Sequence, residues 1–203
     1  PNYRSNIELI LKLHPEIEQI VIINDNTSTG KAIKEDLQKV IPEYEDQVNF
    51  ELFENFLLEE ISEDLTKFGA GNVIYLLSFT RDLAKKFISY SYGIILIEQS
   101  TDIPIYGSWN FYLDKGIVGG KLIKGEKQGE LAAKKTKKIL NGKSPTEIPI
   151  ITEVDYDWCF DYNKLQQHNI PTEKLPENSK IINSKVNSNN TYNKLSLSTR
   201  GGS

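Results

Sequence analysis

Two hydrophobic periods alternate along this chain. Ile7, Ile10 and Leu11 recur at the spacing of a short amphipathic helix that Pro15 ends. Gln19-Ile20-Val21-Ile22-Ile23 is then an unbroken apolar run, as expected of a strand buried on both faces. A polar loop follows, Asn24-Asp25-Asn26-Thr27-Ser28-Thr29-Gly30, and Ala32, Ile33, Leu37, Val40 and Ile41 return to helical spacing until Pro42. The unit repeats. Val48 to Phe53 reads as a strand, Leu57, Leu58, Ile61, Leu65 and Phe68 as a helix closed by Gly69, and Asn72 to Leu77 as a second buried strand running into Ser78-Phe79-Thr80-Arg81-Asp82.

The stretch from Leu83 to Gln99 admits two readings, because Gly93-Ile94-Ile95-Leu96-Ile97 suits a strand on composition. A helix is expected there, since a crossover must precede the strand Ile103 to Tyr106 that leads into Gly107. A glycine-rich loop comes next, then a helix from Glu126 to Leu140 ending at Asn141-Gly142, and Ile148 to Thr152 as the last parallel strand. Strands alternating with helices at this spacing imply right-handed crossovers and a mainly parallel sheet. The expected fold is α/β, a three-layer flavodoxin-like lobe over residues 1–177, with a polar, loose tail rich in Asn, Ser and Lys over 178–203.

Composition narrows the function. Of 203 residues 38% are apolar and 26% charged, and the net charge is −4 with the signs interspersed, which leaves no footprint for nucleic acid or an anionic membrane. The Lys-rich run from Lys134 to Lys138 reads as the solvated face of a helix. The single Cys159 excludes an intrachain disulfide, and no stretch is apolar for long enough to span a bilayer. The chain starts at Pro1 without an initiator Met and ends Ser198-Thr199-Arg200-Gly201-Gly202-Ser203, which reads as appended sequence. A fragment is therefore expected, and missing targeting signals say nothing about location.

Enzyme readings find little support. Thr27-Ser28-Thr29-Gly30-Lys31-Ala32 lacks the leading glycine of a phosphate loop and places Ala32 where a Mg²⁺-binding hydroxyl belongs. A Thr/Ser-rich flavin loop, and with it a flavodoxin-like enzyme or electron carrier, stays open as a third reading. The acidic pocket of a receiver domain is incomplete, because the strand ending at Leu77-Ser78 supplies no carboxylate beside Asp25. His14 and His168 have no nucleophile at hand, and Cys159 among Trp158, Phe160 and Tyr162 reads as a small core residue. Neither metal nor cofactor is expected, and no catalytic residue is assigned.

In an open parallel sheet, ligands sit beyond the carboxyl ends of the strands. Here that edge carries the loops 24–30, 78–82 and 107–120, which supply hydroxyls, amides, Trp109, Phe111 and a helix amino terminus near Thr29. Taken singly, each of these residues is better explained as a cap or turn residue. Together they suit a small polar or carboxylate-bearing molecule.

The segment from Ile103 to Gly120, Ile-Pro-Ile-Tyr-Gly-Ser-Trp-Asn-Phe-Tyr-Leu-Asp-Lys-Gly-Ile-Val-Gly-Gly, is more specific. It resembles the signature of bacterial solute-binding domains of the ABC-transporter substrate-binding class, including those that form the sensor region of some histidine kinases. Gln128 to Ala133 with Ile139 to Gly142 fits the same pattern, as do Trp158 to Tyr162, Leu165, Ile170, Leu175-Pro176 and Ile181-Ile182-Asn183. The likeness runs from about Asn6 to Asn183.

The resemblance implies one half of a type I periplasmic-binding fold: the carboxy-terminal lobe, its partner lobe lying upstream of Pro1, with a segment near 154–170 returning to the hinge. It implies that Asn26, Thr27, Thr29, Phe79, Thr80, Trp109, Asn110 and Phe111 form this lobe's wall of a site for a small polar solute such as an amino acid, carboxylate or sugar. The implied role is the extracytoplasmic sensor of a membrane signalling protein, working by lobe closure and tethered through a flanking segment. The alternative is the solute-binding protein of an ABC transporter. An exposed hinge face would also allow a homodimer.

Overall fold

The computed structural model describes residues 1–149 and 156–184. Seven strands form one sheet in the order β2-β1-β3-β4-β5-β6-β7. They are β1 (Gln19–Ile23), β2 (Asn49–Phe53), β3 (Asn72–Leu76), β4 (Ile105–Gly107), β5 (Gly119–Ile123), β6 (Tyr156–Asp161) and β7 (Lys180–Ile182). Every neighbouring pair is parallel except β5 and β6. The fold is therefore the expected three-layer, flavodoxin-like α/β lobe.

Strand alternation divides the core into two layers. Ile20, Ile22, Val73 and Tyr75 pack with α1 (Tyr3–Leu13), α2 (Ser28–Leu37) and Leu165 of α6 (Tyr162–Gln167). Val21, Ile23, Ile74 and Leu76 pack on the other face with α3 (Ile61–Leu65) and α4 (Tyr90–Ser100). One buried polar network pins α1 to the sheet. Asn6 donates to the Tyr75 hydroxyl, the Ser108 hydroxyl and the Lys121 carbonyl, and its own carbonyl accepts from the Lys121 N–H at 2.7 Å.

Several element boundaries differ from the sequence reading. Helix α2 stops at Leu37, and Val40 and Ile41 lie instead at a short 3₁₀ turn (Ile41–Glu43) that carries Pro42. Helix α3 is only five residues long, because Leu57 to Glu60 make a turn. The segment 83–99 is helical only from Tyr90, where Ser89 caps the amino terminus, and the preceding residues form a loop with Lys85 at φ 64. The Gly93–Ile97 run is helical, as the need for a crossover required.

The glycine-rich stretch hides a strand. Gly119 and Gly120 open β5 at φ near +150, and a Cβ there would lie 2.3 Å from the Cys159 carbonyl and 2.4 Å from the Gly107 carbonyl respectively. Only glycine lets these backbones meet. On the far side of β5 comes β6, antiparallel to it. Ile148 follows a 3₁₀ turn (Pro145–Glu147), and the rest of the strand expected at 148–152 lies outside the described residues. Within the stretch read as a loose tail, β7 pairs in parallel with β6, and residues from 185 on lie outside the described ones. After β5, α5 (Gly125–Leu140) is exposed along nearly all its length.

Candidate ligand-binding site

Strand β1 lies between β2 and β3, so the chain leaves its carboxyl end at the point where strand order reverses. The loops after β1 and β3 meet there on one side chain, Asp25. The residue is 1% exposed and accepts five hydrogen bonds. Its Oδ1 takes the Thr27 N–H at 3.1 Å and the Thr27 hydroxyl at 2.5 Å. Its Oδ2 takes the Ser78 hydroxyl at 3.0 Å, the Thr80 N–H at 2.8 Å and the Thr80 hydroxyl at 2.7 Å. Burial alone would raise the pKa of this carboxyl, but the hydrogen bonds from Thr27, Thr80 and Ser78 outweigh it and hold the group below its ordinary value.

Local sequence builds this hub. Thr27 caps α2 by accepting the Gly30 N–H at 3.1 Å. Gly30 lets the first helical turn sit on Asp25, because a Cβ there would fall 1.9 Å from the Asp25 carbonyl. Asn24, fully buried, ties the same turn to Glu54 by donating to the Gly30 carbonyl at 2.9 Å and to the Glu54 carboxylate at 3.2 Å. Glu54 in turn is paired with Lys34 at 2.5 Å.

Above the hub lies a cavity of about 170 Å³ lined by Thr29, Ile33, Leu77, Ser78, Thr80, Tyr90, Trp109 and Phe111. Trp109 and Phe111 stack with ring centres 5.9 Å apart, and Tyr90 lies 4.3 Å from Phe111. The indole N–H of Trp109 donates to the Leu77 carbonyl at 3.0 Å, which fixes the ring against the end of β3. An adjoining cleft of about 400 Å³ is lined by Asn26, Thr27, Ser28, Lys31, Arg81, Asp82, Leu83 and Lys85.

The eight residues singled out by the resemblance separate into three groups. Thr29, Thr80, Trp109 and Phe111 share the aromatic cavity, and Asn26 and Thr27 line the adjoining cleft. Asn110 is half-buried at the start of a 3₁₀ turn (Asn110–Tyr112) and lines neither. Phe79 turns into the core at 1% exposure, 4.8 Å from Phe56, because the chain leaves the strand alternation after β3 ends at Leu76 and packs Phe79 with Ile74 and Leu76, while Ser78 and Thr80 line the cavity. Asp25, Ser78 and Tyr90 were missed. An Asp two residues before a Thr that precedes a helix is an Asx-turn signal that could have drawn attention to Asp25.

A larger cleft, about 560 Å³, lies at the opposite end of the sheet and is lined by residues including His14, Thr66, Asn72, Asp102 and Pro104. It lacks the stacked aromatic pair that lines the smaller cavity, which is the better candidate for that reason. Among the described residues no cluster of His, Cys, Asp or Glu could hold a metal ion, and no helix is long and apolar enough to cross a membrane. Cys159 is buried, and burial raises its thiol pKa.

Comparison with known proteins fixes the family. The model for ABC transporter substrate-binding proteins matches residues 2–179. The chain belongs to this family. No curated protein sequence matches it. Among solved structures, this substrate-binding lobe is similar to the ligand-free, open form of CD0873, a substrate-binding protein with adhesive properties from Clostridium difficile (TM-score 0.62, 18% identity, 89% of this chain and 59% of that one). It is also similar to a conserved domain protein from Vibrio cholerae (TM-score 0.66, 16% identity, 88% and 59%). A third is the ABC domain from Streptococcus pneumoniae in complex with L-Trp (TM-score 0.68, 17% identity, 88% and 61%). The chain thus spans about three fifths of the length of these structures.

Proposed function

We propose that this chain forms one wall of an extracytoplasmic solute-binding site that delivers a small organic molecule, an aromatic amino acid being the leading candidate, to an ABC permease. The observation that carries this reading is the stacked aromatic cavity set over the Asp25 hub at the strand-order switch point. Its volume is about that of a cavity which takes up benzene, well below the roughly 300–1,000 Å³ of a complete small-molecule site. A single wall of a two-lobed cleft has this character.

Two further observations support a partner lobe outside this chain. The chain covers about three fifths of its structural neighbours, and α5 carries exposed Ile139 and Leu140. Ligand bound between two lobes would favour the closed form, and its differential affinity for closed over open would drive the change. The family description favours transport over the sensor role that the sequence resemblance also implied.

A thermal-shift screen of the full chain against amino acids, small carboxylates, sugars and nucleosides tests the proposal. Ligand at a hundredfold excess over its dissociation constant adds about 2.7 kcal/mol, a rise in Tm of about 5–10 °C for a chain of this size. A rise confined to one chemical class is the expected result. No rise with any class, in protein that melts cooperatively, would contradict it.

A further inference from the structure

Two of the hydroxyls that line the aromatic cavity, those of Ser78 and Thr80, are biased in one direction, and Asp25 sets the bias. An ionised carboxylate can only accept hydrogen bonds. The hydroxyl hydrogens of Ser78 and Thr80 are therefore committed to Asp25 Oδ2, at 3.0 and 2.7 Å, and both oxygens offer only lone pairs to the cavity they line. The Trp109 N–H is likewise committed, to the Leu77 carbonyl at 3.0 Å. Among the described residues no cation forms an ion pair with Asp25, and its charge is met by hydrogen bonds alone. Tyr90, Trp109 and Phe111 line the same cavity and give it an aromatic surface.

We infer that this wall reads a primary ammonium group, held against the Ser78 and Thr80 hydroxyl oxygens with the ligand's carbon skeleton on the Tyr90–Trp109–Phe111 surface. An ammonium brings three donors and a positive charge to a place that offers acceptors, aromatic faces and a buried anion. A carboxylate in the same place meets lone pairs and like charge. The inference rests on the ligand-binding reading above and goes beyond it by naming the chemical group that this lobe recognises.

The test is isothermal titration of the full chain with L-tryptophan, tryptamine, which lacks the carboxylate, and indole-3-propionate, which lacks the amine. Tryptamine is expected to bind at least about tenfold more tightly than indole-3-propionate, on the order of one charge-assisted hydrogen bond. In Asp25→Asn the negative charge is lost, and the preference is expected to fall below about threefold. Thr80→Val removes one acceptor without touching the carboxylate and is expected to narrow the preference too, which keeps the test open if Asp25→Asn does not fold. Equal or tighter binding of indole-3-propionate, or a preference unchanged in the variants, would overturn the inference alone. Absence of saturable binding by all three compounds would sink the ligand-binding reading with it.

Discussion

The Asp25 carboxylate accepts both the backbone N–H and the hydroxyl of Thr80, at 2.8 and 2.7 Å, and so fastens the end of β1 to the end of β3 across the mouth of the site. The same carboxylate takes the Ser78 hydroxyl and both donors of Thr27. A single buried side chain thereby sets the positions of three loop hydroxyls.

Replacing that anchor is expected to cost more than a surface change. Asp25→Ala leaves five donors without their acceptor in a site of 1% exposure, a loss of about 2–4 kcal/mol. Urea unfolding of the two proteins at neutral pH measures it, and a loss under about 0.5 kcal/mol would mean that the loops hold themselves.

Trp109 and Phe79 are expected to separate binding from folding. Trp109 lines the cavity, so Trp109→Ala should weaken ligand at least about tenfold, with a stability loss of about 1–3 kcal/mol from its packing on both core layers. Phe79 belongs to the core, so Phe79→Leu should cost about 1–2 kcal/mol and leave affinity unchanged. Calorimetric titration beside urea melts reads both quantities, and the reverse ordering would contradict the geometry.

Gly120 is expected to tolerate no side chain. With φ at +151 and the Gly107 carbonyl 2.4 Å from where a Cβ would be, Gly120→Ala must separate β5 from β4. A loss of at least about 3 kcal/mol, or failure to fold, is expected from the combined strain and clash, whereas Gly129→Ala, in open space on α5, should be neutral or slightly stabilising. Comparative thermal melts of the two variants check this.

His14 is expected to make stability fall in mild acid. Burial first, then the charges of His168 and Lys174, lower its pKa to about 4, while its ring nitrogen lies 2.8 Å from the Tyr106 hydroxyl. The unfolded chain has a His pKa of about 6.5 and takes up the proton first, so stability is fully present above that value and is lost as pH falls from about 6.5 towards 4. The loss is on the order of 1–2 kcal/mol once partial solvation is discounted. Urea midpoints at pH 7.5 and pH 5 should differ in the parent and differ less in His14→Gln.

The buried strands β1 and β3 were legible because unbroken apolar runs leave few alternatives, and the Gly93–Ile97 helix because a parallel sheet needs a crossover. Strand β5 was not legible. Consecutive glycines carry no hydrophobic period, and what makes them a strand is the approach of the Gly107 and Cys159 carbonyls from elsewhere in the chain. The site was legible as an edge and only partly as residues. Family likeness pointed to Thr80 and Trp109, but which of Ser78, Phe79 and Thr80 lines the cavity depends on how the chain turns after β3 ends at Leu76, and the role of Asp25 depends on a loop 55 residues away.

The central claim is that ligand binds at the carboxyl edge of the sheet. Amide-detected NMR of the isotope-labelled chain titrated with unlabelled L-tryptophan tests it most directly. The account predicts saturable shifts centred on Thr29, Thr80, Tyr90, Phe111 and the Trp109 backbone and indole N–H groups. Shifts centred instead on His14, Thr66, Asn72 and Asp102, at the large cleft on the opposite edge, would contradict it.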